Sequence, residues 1–254
     1  MEPDPASALS RGAARRLAVQ REISHLLSPL TALAATAMLR LWLRLSFEDV
    51  RATRREYRRL RGENDAPLLV CGNHLTMIDS ALIAWSLGSP WWYIGHFSAL
   101  PWNMPDRQNF ASTWWQRALA YVYKCVPVER GGSRQDVAGS LARFTHLLAR
   151  GEVALVFPEG GRSRTARVDV ENAAYGVGRI VRSVPDCRVL CVYLRGDRQR
   201  DYAALPARGD RLRTHLSLVE PKSDCGGLRG SRDVARQIVM RLAEMEEEHF
   251  HARQ

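Results

Sequence analysis

With 254 residues, of which 46% are hydrophobic and 25% are charged, the chain can bury a sizeable core and is too apolar to remain disordered. Its formal net charge of +10 favours an anionic partner: nucleic acid, an anionic membrane surface, or a phosphorylated or coenzyme-like substrate. The five cysteines form no CxxC pair and have no histidine at zinc-finger spacing, which indicates reduced thiols in a protein that faces the cytosol.

The N-terminal part of the chain is predicted to contain a tail and an apolar helix. Residues 1–21 begin with acidic and proline residues and lack the basic-then-apolar order of a signal peptide, which predicts a disordered tail. Residues 26–45 are mostly apolar, although Pro29, Arg40 and Arg44 interrupt them. This composition favours a helix that lies in a membrane interface. A single membrane span and a helix packed on the protein's own core stay open as alternatives.

Basic residues follow this apolar stretch. Between Arg40 and Arg61 the chain has eight arginines against three acidic residues. An apolar segment next to an arginine cluster is typical of a contact with anionic lipid, although a solvated basic helix face has the same composition. Few aromatic residues are interleaved here, so we expect an anionic membrane surface and no nucleic acid as partner. We therefore predict a membrane-associated helical segment over residues 22–62, monotopic or single-pass, at the cytoplasmic face of the cell membrane.

Residues 63–254 are predicted to form one α/β domain, because short apolar runs alternate with longer amphipathic ones. Strands are expected at 67–71, 91–95, 125–128, 153–157, 188–194 and 212–219, and helices at 77–88, 113–123, 134–150, 171–183 and 230–250. The apolar runs do not alternate with polar residues. This predicts a sheet that helices cover on both faces.

Three of the predicted strands end in a group of polar and glycine residues. These groups are Gly72-Asn73-His74, Glu129-Arg130-Gly131-Gly132 and Pro158-Glu159-Gly160-Gly161-Arg162-Ser163. In open α/β sheets, ligands bind outside the carboxyl ends of the strands. We therefore expect the three groups to converge on one site.

The first group supplies a candidate base. His74 and Asp79 are five residues apart, which separates them by about 140° on an ideal helix. They can meet if His74 lies in the turn and Asp79 in the first helical turn. A histidine held in one tautomer by a carboxylate is a competent base for a hydroxyl. An isolated pair of this spacing is more often structural, but its position after a buried strand, with Asn73 and Thr76 alongside, favours catalysis.

The second and third groups predict an anion site. Arg130 and Arg162 carry planar guanidinium groups suited to phosphate oxygens, and the glycine pairs beside them allow backbone N–H groups to approach an anion closely. Glu159 could orient one of these arginines or accept a hydrogen bond from a substrate hydroxyl. A surface salt bridge is the alternative for each arginine alone. The predicted substrate-binding residues are Asn73, Thr76, Glu129, Arg130, Glu159, Gly160, Gly161, Arg162 and Ser163.

Together these groups resemble the first three sequence blocks of the glycerolipid acyltransferase superfamily, which includes the lysophosphatidic acid and glycerol-phosphate acyltransferases. The blocks are Asn73-His74-x4-Asp79, Val126-Pro127-Val128-Glu129-Arg130 and Phe157-Pro158-Glu159-Gly160-Gly161-Arg162-Ser163, and the similarity covers roughly residues 65–200. The resemblance implies a mixed, mostly parallel sheet flanked by helices, with a membrane-associated N-terminal helical element. It also implies His74 as base, Asp79 as its partner, and Arg130, Glu159, Gly160 and Arg162 as acceptor-binding residues.

The reaction that the resemblance implies is transfer of an acyl group from acyl-CoA or acyl carrier protein to a lyso-lipid hydroxyl in phospholipid biosynthesis, without a covalent acyl-enzyme. No cofactor or metal is expected, and a metal-dependent hydrolase is disfavoured because no second ligand stands at the right spacing from His74. Lysophosphatidic acid is the default acceptor. Gly161 replaces the usual threonine of the third block and Cys191 the usual proline of the fourth, so a lyso-aminolipid or a glycolipid precursor stays open. A non-catalytic membrane-binding protein is the remaining alternative.

Five tryptophans have two possible roles. Trp91, Trp92, Trp102, Trp114 and Trp115 lie in or beside the predicted elements of the domain. They could line an acyl channel or sit at a lipid interface, and aromatic core packing explains them equally well.

Overall fold

A six-stranded sheet lies at the centre of the structure, a computed structural model that describes residues 9–63, 66–107, 112–129 and 133–252. Its strands are β1 (Ser46–Phe47), β2 (Leu68–Gly72), β3 (Trp102–Asn103), β4 (Ala154–Val156), β5 (Arg188–Gly196) and β6 (Arg211–Val219). They lie in the order β1-β6-β5-β2-β4-β3. Strands β2 to β5 run parallel, whereas β6 is antiparallel to β5 and β1 is parallel to β6. The expected mixed, mostly parallel sheet is therefore confirmed.

Helices precede and connect these strands. They are α1 (Arg11–Leu26), α2 (Ser28–Thr36), α3 (Val50–Gly62), α4 (Asp79–Leu87), α5 (Pro90–Gly95), α6 (Trp114–Val122), α7 (Arg134–Ala149), α8 (Tyr175–Ser183) and α9 (Gly227–His251). A π-helical segment, Ala37–Trp42, continues α2, and 3₁₀ turns cover Phe97–Ala99 and Val170–Asn172. Helices α4, α6, α7, α8 and α9 confirm the five predicted helices, with ends that differ by a few residues.

The sheet separates two hydrophobic cores, because successive side chains of a strand point to opposite faces. In β2, Leu69 and Cys71 belong to the core with α1, α7, α8 and α9, whereas Leu68 and Val70 belong to the core with α3, α4, α5 and the π-helical segment. Every residue of β2 and β5 is buried. This double-sided burial explains why the two strands are apolar without alternation.

Two predicted strands are wrong. Residues 91–95 form α5, because the Ser89 hydroxyl accepts a hydrogen bond from the Trp92 N–H at 3.1 Å and Pro90 occupies the first helical turn. Residues 125–128 make only isolated bridges, from Cys125 to Asn103 of β3 and from Val128 to Asp106. The short strand β3, which the sequence pattern does not predict, instead pairs with β4.

The predicted disordered tail of residues 1–21 is wrong from Arg11 onward, where α1 begins. The Ser10 hydroxyl caps this helix by accepting a hydrogen bond from the Ala13 N–H at 3.3 Å. Leu17 is buried in the core beneath it. The acidic and proline residues that indicated a tail all lie within residues 1–8, outside the described ranges.

The predicted helical segment of residues 22–62 packs on the rest of the domain. Leu39, Leu43 and Tyr57 are buried in the core that also contains β2 and α4. The Tyr57 hydroxyl donates to the Ala99 carbonyl oxygen at 2.7 Å. The same segment exposes large apolar side chains, namely Leu26, Leu30, Leu33, Leu41 and Trp42. Within the described ranges, no helix combines the length and the apolar character needed to cross a membrane.

A buried ion-pair network fixes α1 to the sheet. The Lys124 ammonium is fully buried, 2.7 Å from Glu152 Oε2, while Arg21 Nε on α1 donates to Glu152 Oε1 at 2.7 Å. Lys124 also donates to the carbonyl oxygens of Phe97 and Leu100 at 2.9 and 2.7 Å. Burial lowers the pKa of Lys124 to about 8, and the Glu152 carboxylate limits that fall. Removing either cation would leave a buried carboxylate with one ion-pair partner fewer.

Candidate active site

His74 and Asp79 meet at the carboxyl end of β2. His74 lies in the turn that follows the strand, and Asp79 is the first residue of α4. The distance between His74 Nδ1 and Asp79 Oδ2 is 3.0 Å. This placement, histidine in the turn and carboxylate in the first helical turn, is the one that the five-residue spacing requires.

Asp79 is held by its own turn. Its Oδ2 accepts hydrogen bonds from the Leu75 and Thr76 backbone N–H groups at 2.5 and 2.7 Å, and its Oδ1 accepts one from the Thr76 hydroxyl at 2.5 Å. Both Asp79 and Thr76 are buried. The Thr76 hydroxyl, predicted to bind substrate, is thus engaged in orienting the carboxylate. With backbone donors surrounding Oδ2, that oxygen acts as acceptor for the His74 Nδ1–H.

Phe157, at the end of β4, covers one face of the imidazole. The two rings stack with 3.9 Å between their centroids and 10° between their planes. This contact and the hydrogen bond to Asp79 together limit rotation of the His74 ring. Phe157 was not predicted to have a role, although its position at the start of the third block was a usable signal.

An apolar cavity of about 420 Å³ opens beside the imidazole. His74 and Arg162 both line it, and so do the apolar side chains of Met77, Met104, Pro105, Trp115, Leu119, Ala120, Tyr123 and Phe157. The volume falls within the usual range of small-molecule sites. The cavity therefore combines a basic nitrogen, a cation and a wall suited to a hydrocarbon chain. Of its lining residues on α6 and after β3, Trp115 was predicted as a possible part of an acyl channel. The others were not predicted, since apolar side chains carry no motif.

Arg162 is the member of the predicted anion site that the structure places in this cavity. Its guanidinium carbon lies 5.6 Å from the centre of the Tyr202 ring, and it pairs with no carboxylate among the described residues. Glu129 is half-exposed, lies 3.6 Å from Arg107, and does not line the cavity. Arg130, with Gly131 and Gly132, lies outside the described residues.

Glu159 contacts the loop of residues 163–169 and does not line the cavity. Its side chain is buried, and its Oε2 accepts a hydrogen bond from the Asp169 N–H at 3.1 Å, while Oε1 has no hydrogen-bond partner among the described residues. Burial raises the pKa of Glu159 to about 7, although the backbone N–H groups of Asp169 and His74 favour the charged form. Its predicted contact with the acceptor stays a prediction, and the side chain does not line the cavity.

Other predicted substrate-binding residues hold the backbone. Asn73 is buried and bonds both the carbonyl oxygen and the N–H of Leu194 on β5, at 3.0 and 2.8 Å. The Ser163 N–H donates to the His74 carbonyl oxygen at 2.9 Å, which joins the third block to the first. Gly160 has φ +69°, and the half-buried Gly161 follows it. These residues hold the backbone around the site and do not line the cavity.

The tryptophans divide between the two roles that the sequence left open. Trp102 is fully buried, and its Nε1–H donates to Glu152 at 2.7 Å. Trp115 lines the cavity while remaining half-exposed, and Trp91 and Trp114 are exposed. The Arg58 guanidinium carbon lies 4.9 Å from the centre of the Trp92 ring.

Among the described residues, no group of three or more histidine, cysteine or acidic side chains could hold a metal ion.

Comparison with known families agrees with this geometry. A family model described as acyltransferase matches residues 49–195, more than half of the 254 residues, and spans β2, β3, β4 and all three strand endings. The chain belongs to the acyltransferase family. The resemblance to the glycerolipid acyltransferase superfamily is thereby confirmed. A search of curated protein sequences gives no significant match. The match places His74, Asp79 and Arg162 inside the acyltransferase region, whereas α1, β6 and α9 lie outside it.

Proposed function

We propose that this acyltransferase moves a fatty acyl group from acyl-CoA or acyl carrier protein to the hydroxyl of a lysophospholipid-type acceptor, by default lysophosphatidic acid, in phospholipid biosynthesis. One observation carries the proposal. The ordered pair of His74 and Asp79 borders an apolar cavity that Arg162 also lines. A base, an anion-binding cation and a hydrocarbon-compatible wall are the three elements that such a transfer requires.

In the proposed reaction, His74 acts as general base and Asp79 orients it. Since Nδ1–H donates to Asp79, Nε2 is the nitrogen left to accept a proton from the acceptor hydroxyl. The hydroxyl oxygen attacks the thioester carbonyl carbon, so that a C–O bond forms and the C–S bond breaks. The imidazolium then returns the proton to the departing thiolate. Asp79 stabilises the transient positive charge on the ring.

The acyl chain and the phosphate are assigned to different parts of the cavity wall. We assign the chain to the apolar side chains, including Met77, Met104 and Leu119. Arg162 is assigned to the acceptor phosphate, because its planar fork matches phosphate oxygens and no described carboxylate occupies it. Gly161, where the family usually has threonine, leaves a lyso-aminolipid or glycolipid acceptor as the second candidate.

We further propose that the enzyme lies on the cytoplasmic face of the cell membrane, with α2 and the π-helical segment in the interface. Support comes from the exposed Leu30, Leu33, Leu41 and Trp42, and from the arginines of α3 that follow them. Trp114, also exposed, lies on α6 beside the cavity-lining Trp115. This arrangement would bring lipid substrates to the cavity from the bilayer.

An activity assay tests the proposal. Purified protein is incubated with labelled acyl-CoA or acyl carrier protein and a panel of lyso-lipids, and the products are identified by mass spectrometry. His74→Ala should lower turnover by about 10²- to 10⁴-fold. The matched control is His251→Ala, at the exposed end of α9. If folded His74→Ala protein retains near-normal turnover, the assignment of the base is wrong. Absence of acyl transfer across the panel, with binding to anionic vesicles retained, would favour a non-catalytic membrane-binding protein.

A further inference from the structure

Glu246 is a buried carboxylate of α9, outside the residues that the family model matches. Its Oε1 accepts a hydrogen bond from the Tyr193 hydroxyl at 3.1 Å and lies 3.6 Å from Arg195 Nη1. Its Oε2 accepts a hydrogen bond from the Val168 N–H at 3.1 Å and lies 2.9 Å from Arg167 Nε, with which it forms an ion pair. Compensation of the buried Arg195 would explain the Oε1 contacts. It would not explain why Oε2 binds a loop.

That loop, residues 163–169, is held by two buried carboxylates at adjacent backbone positions. The Val168 N–H donates to Glu246, and the Asp169 N–H donates to Glu159. The partner of Glu246, Arg195, also donates from Nη1 to the Ala166 carbonyl oxygen at 2.6 Å. The C-terminal half of the loop is thus tied to α9 and to β5.

The N-terminal half of the same loop is tied to the catalytic turn. The Ser163 N–H donates to the His74 carbonyl oxygen at 2.9 Å, and the Ser163 hydroxyl accepts a hydrogen bond from the Arg167 N–H at 3.1 Å. Arg162, which lines the cavity, directly precedes Ser163. A displacement of the loop at Val168 would therefore shift the backbone that carries Arg162.

We propose that Glu246 is a positioning residue that sets the affinity of the enzyme for a phosphate-bearing acceptor. It does so by holding the 163–169 loop, and thereby Arg162, against the turn of His74. The inference rests on the proposed function for the role of Arg162. Side chains that bind substrate are effective when neighbouring contacts fix them, and small misplacements cost large factors in rate or affinity.

Hydrogen exchange tests the structural half of the proposal without any substrate. In full-length protein, Glu246→Gln should speed exchange of the 163–169 amides by about tenfold or more, because the charge-assisted contact to Val168 is weakened. Glu248→Gln is the matched control, since Glu248 lies on the same helix but is exposed and pairs with Arg241. If the glutamine variant does not fold, Glu246→Asp replaces it, because the shorter side chain keeps the charge near Arg195 while withdrawing from Val168.

Steady-state kinetics test the functional half. Glu246→Gln should raise KM for lysophosphatidic acid by about tenfold to a hundredfold with a smaller change in kcat. KM for monoacylglycerol, which lacks the phosphate, should change less than about twofold if the effect acts through Arg162. Arg162→Ala is the reference variant, and the double variant should bind the acceptor no more weakly than Arg162→Ala alone.

The outcomes separate the two proposals. Unchanged exchange in the loop of a folded Glu246 variant overturns the inference, whatever the substrate is. The inference is also wrong if exchange rises and KM for lysophosphatidic acid stays constant while Arg162→Ala raises it. If Arg162→Ala itself leaves that KM unchanged, the proposed phosphate site fails, and the assigned effect of Glu246 on affinity fails with it.

Discussion

The carboxyl ends of β2 and β4 both contribute to the cavity, but they are organised by different kinds of contact. At the end of β2, the partners of Asp79 are His74, Leu75 and Thr76, all within one turn of chain. At the end of β4, the 163–169 loop depends on residues from β5 and α9. One end is determined locally. The other is assembled only when distant parts of the chain fold onto it.

The largest effect on turnover is expected from a substitution at the end of β2, whose contacts are local. Asp79→Asn should lower kcat by about 10²- to 10³-fold. The Leu75 and Thr76 N–H groups select the amide oxygen for the Oδ2 position, so the His74 tautomer is kept and the loss comes from the missing charge. A change of tautomer would cost more, about 10⁴-fold. Turnover of purified protein measures the effect, with the exposed Asp186→Asn as control. A loss of 10⁴-fold or more would show that the introduced amide has flipped, so that its nitrogen and not its oxygen faces His74.

The next effect concerns the buried carboxyl at the end of β4. The pKa of Glu159 is raised from 4.5 to about 7, so the folded state binds its proton more tightly than the unfolded state. Wild-type stability should therefore fall as pH rises from about 4.5 to about 7, and Glu159→Gln should remove up to about 3 kcal/mol of that fall. Urea unfolding of both proteins between pH 4.5 and pH 8 measures the difference. Parallel pH profiles would contradict the raised pKa of Glu159.

Asn73 distinguishes a structural role from a substrate contact. Asn73→Ala removes both hydrogen bonds to Leu194 and leaves buried backbone groups unpaired, which should cost about 2 kcal/mol of unfolding free energy. KM for the acceptor should stay within about twofold of wild type if the side chain serves only to join β2 to β5. Urea unfolding and steady-state kinetics on the same sample decide between the roles. A normal unfolding free energy with a raised KM would restore Asn73 to the acceptor site.

The smallest expected effect concerns the turn after β4. Gly160 has φ +69°, and an added Cβ would lie 3.1 Å from the Ala174 Cβ. Gly160→Ala should therefore lower the unfolding free energy by about 1–2 kcal/mol. Gly139→Ala in α7, where an added Cβ meets nothing within 4 Å, should raise stability slightly. Thermal unfolding of the two variants measures both signs. Equal shifts would indicate that the turn relaxes without strain.

The same contrast explains what the sequence could predict. The pairing of His74 with Asp79 follows from a spacing of five residues and a preceding apolar strand, so local pattern was sufficient. The buried position of Glu159 was not predictable, because it depends on the 163–169 loop, whose Asp169 N–H binds its carboxylate. Arg162 was predicted to bind the acceptor, and it lines the cavity. The residue proposed to position it, Glu246, lies in a helix whose sequence is that of an ordinary amphipathic helix and gives no sign of this role.

The fold, too, could be predicted only in part. Strands β2, β4, β5 and β6 were predictable because burial on one or both faces leaves apolar runs in the sequence. The residues of α5 have the same composition, and only the Ser89-Pro90 start distinguishes a helix there. Helix α1 was missed because the acidic and proline residues before it dominated the interpretation. Its burial depends on long-range contacts such as that between Arg21 and Glu152.

The contact between Arg21 and Glu152 also bears on how the protein can be shortened. An expression design that removes α1, in order to discard an apparent disordered tail, would remove Leu17 from the hydrophobic core and Arg21 from its ion pair with Glu152. It would also free the carbonyl oxygens of Tyr121 and Cys125, which Gln20 now binds at 3.0 Å. Tyr123 and Cys125 line the cavity beside His74. Such a truncation should therefore give aggregation and a deformed cavity, so α1 is best kept in any shortened version.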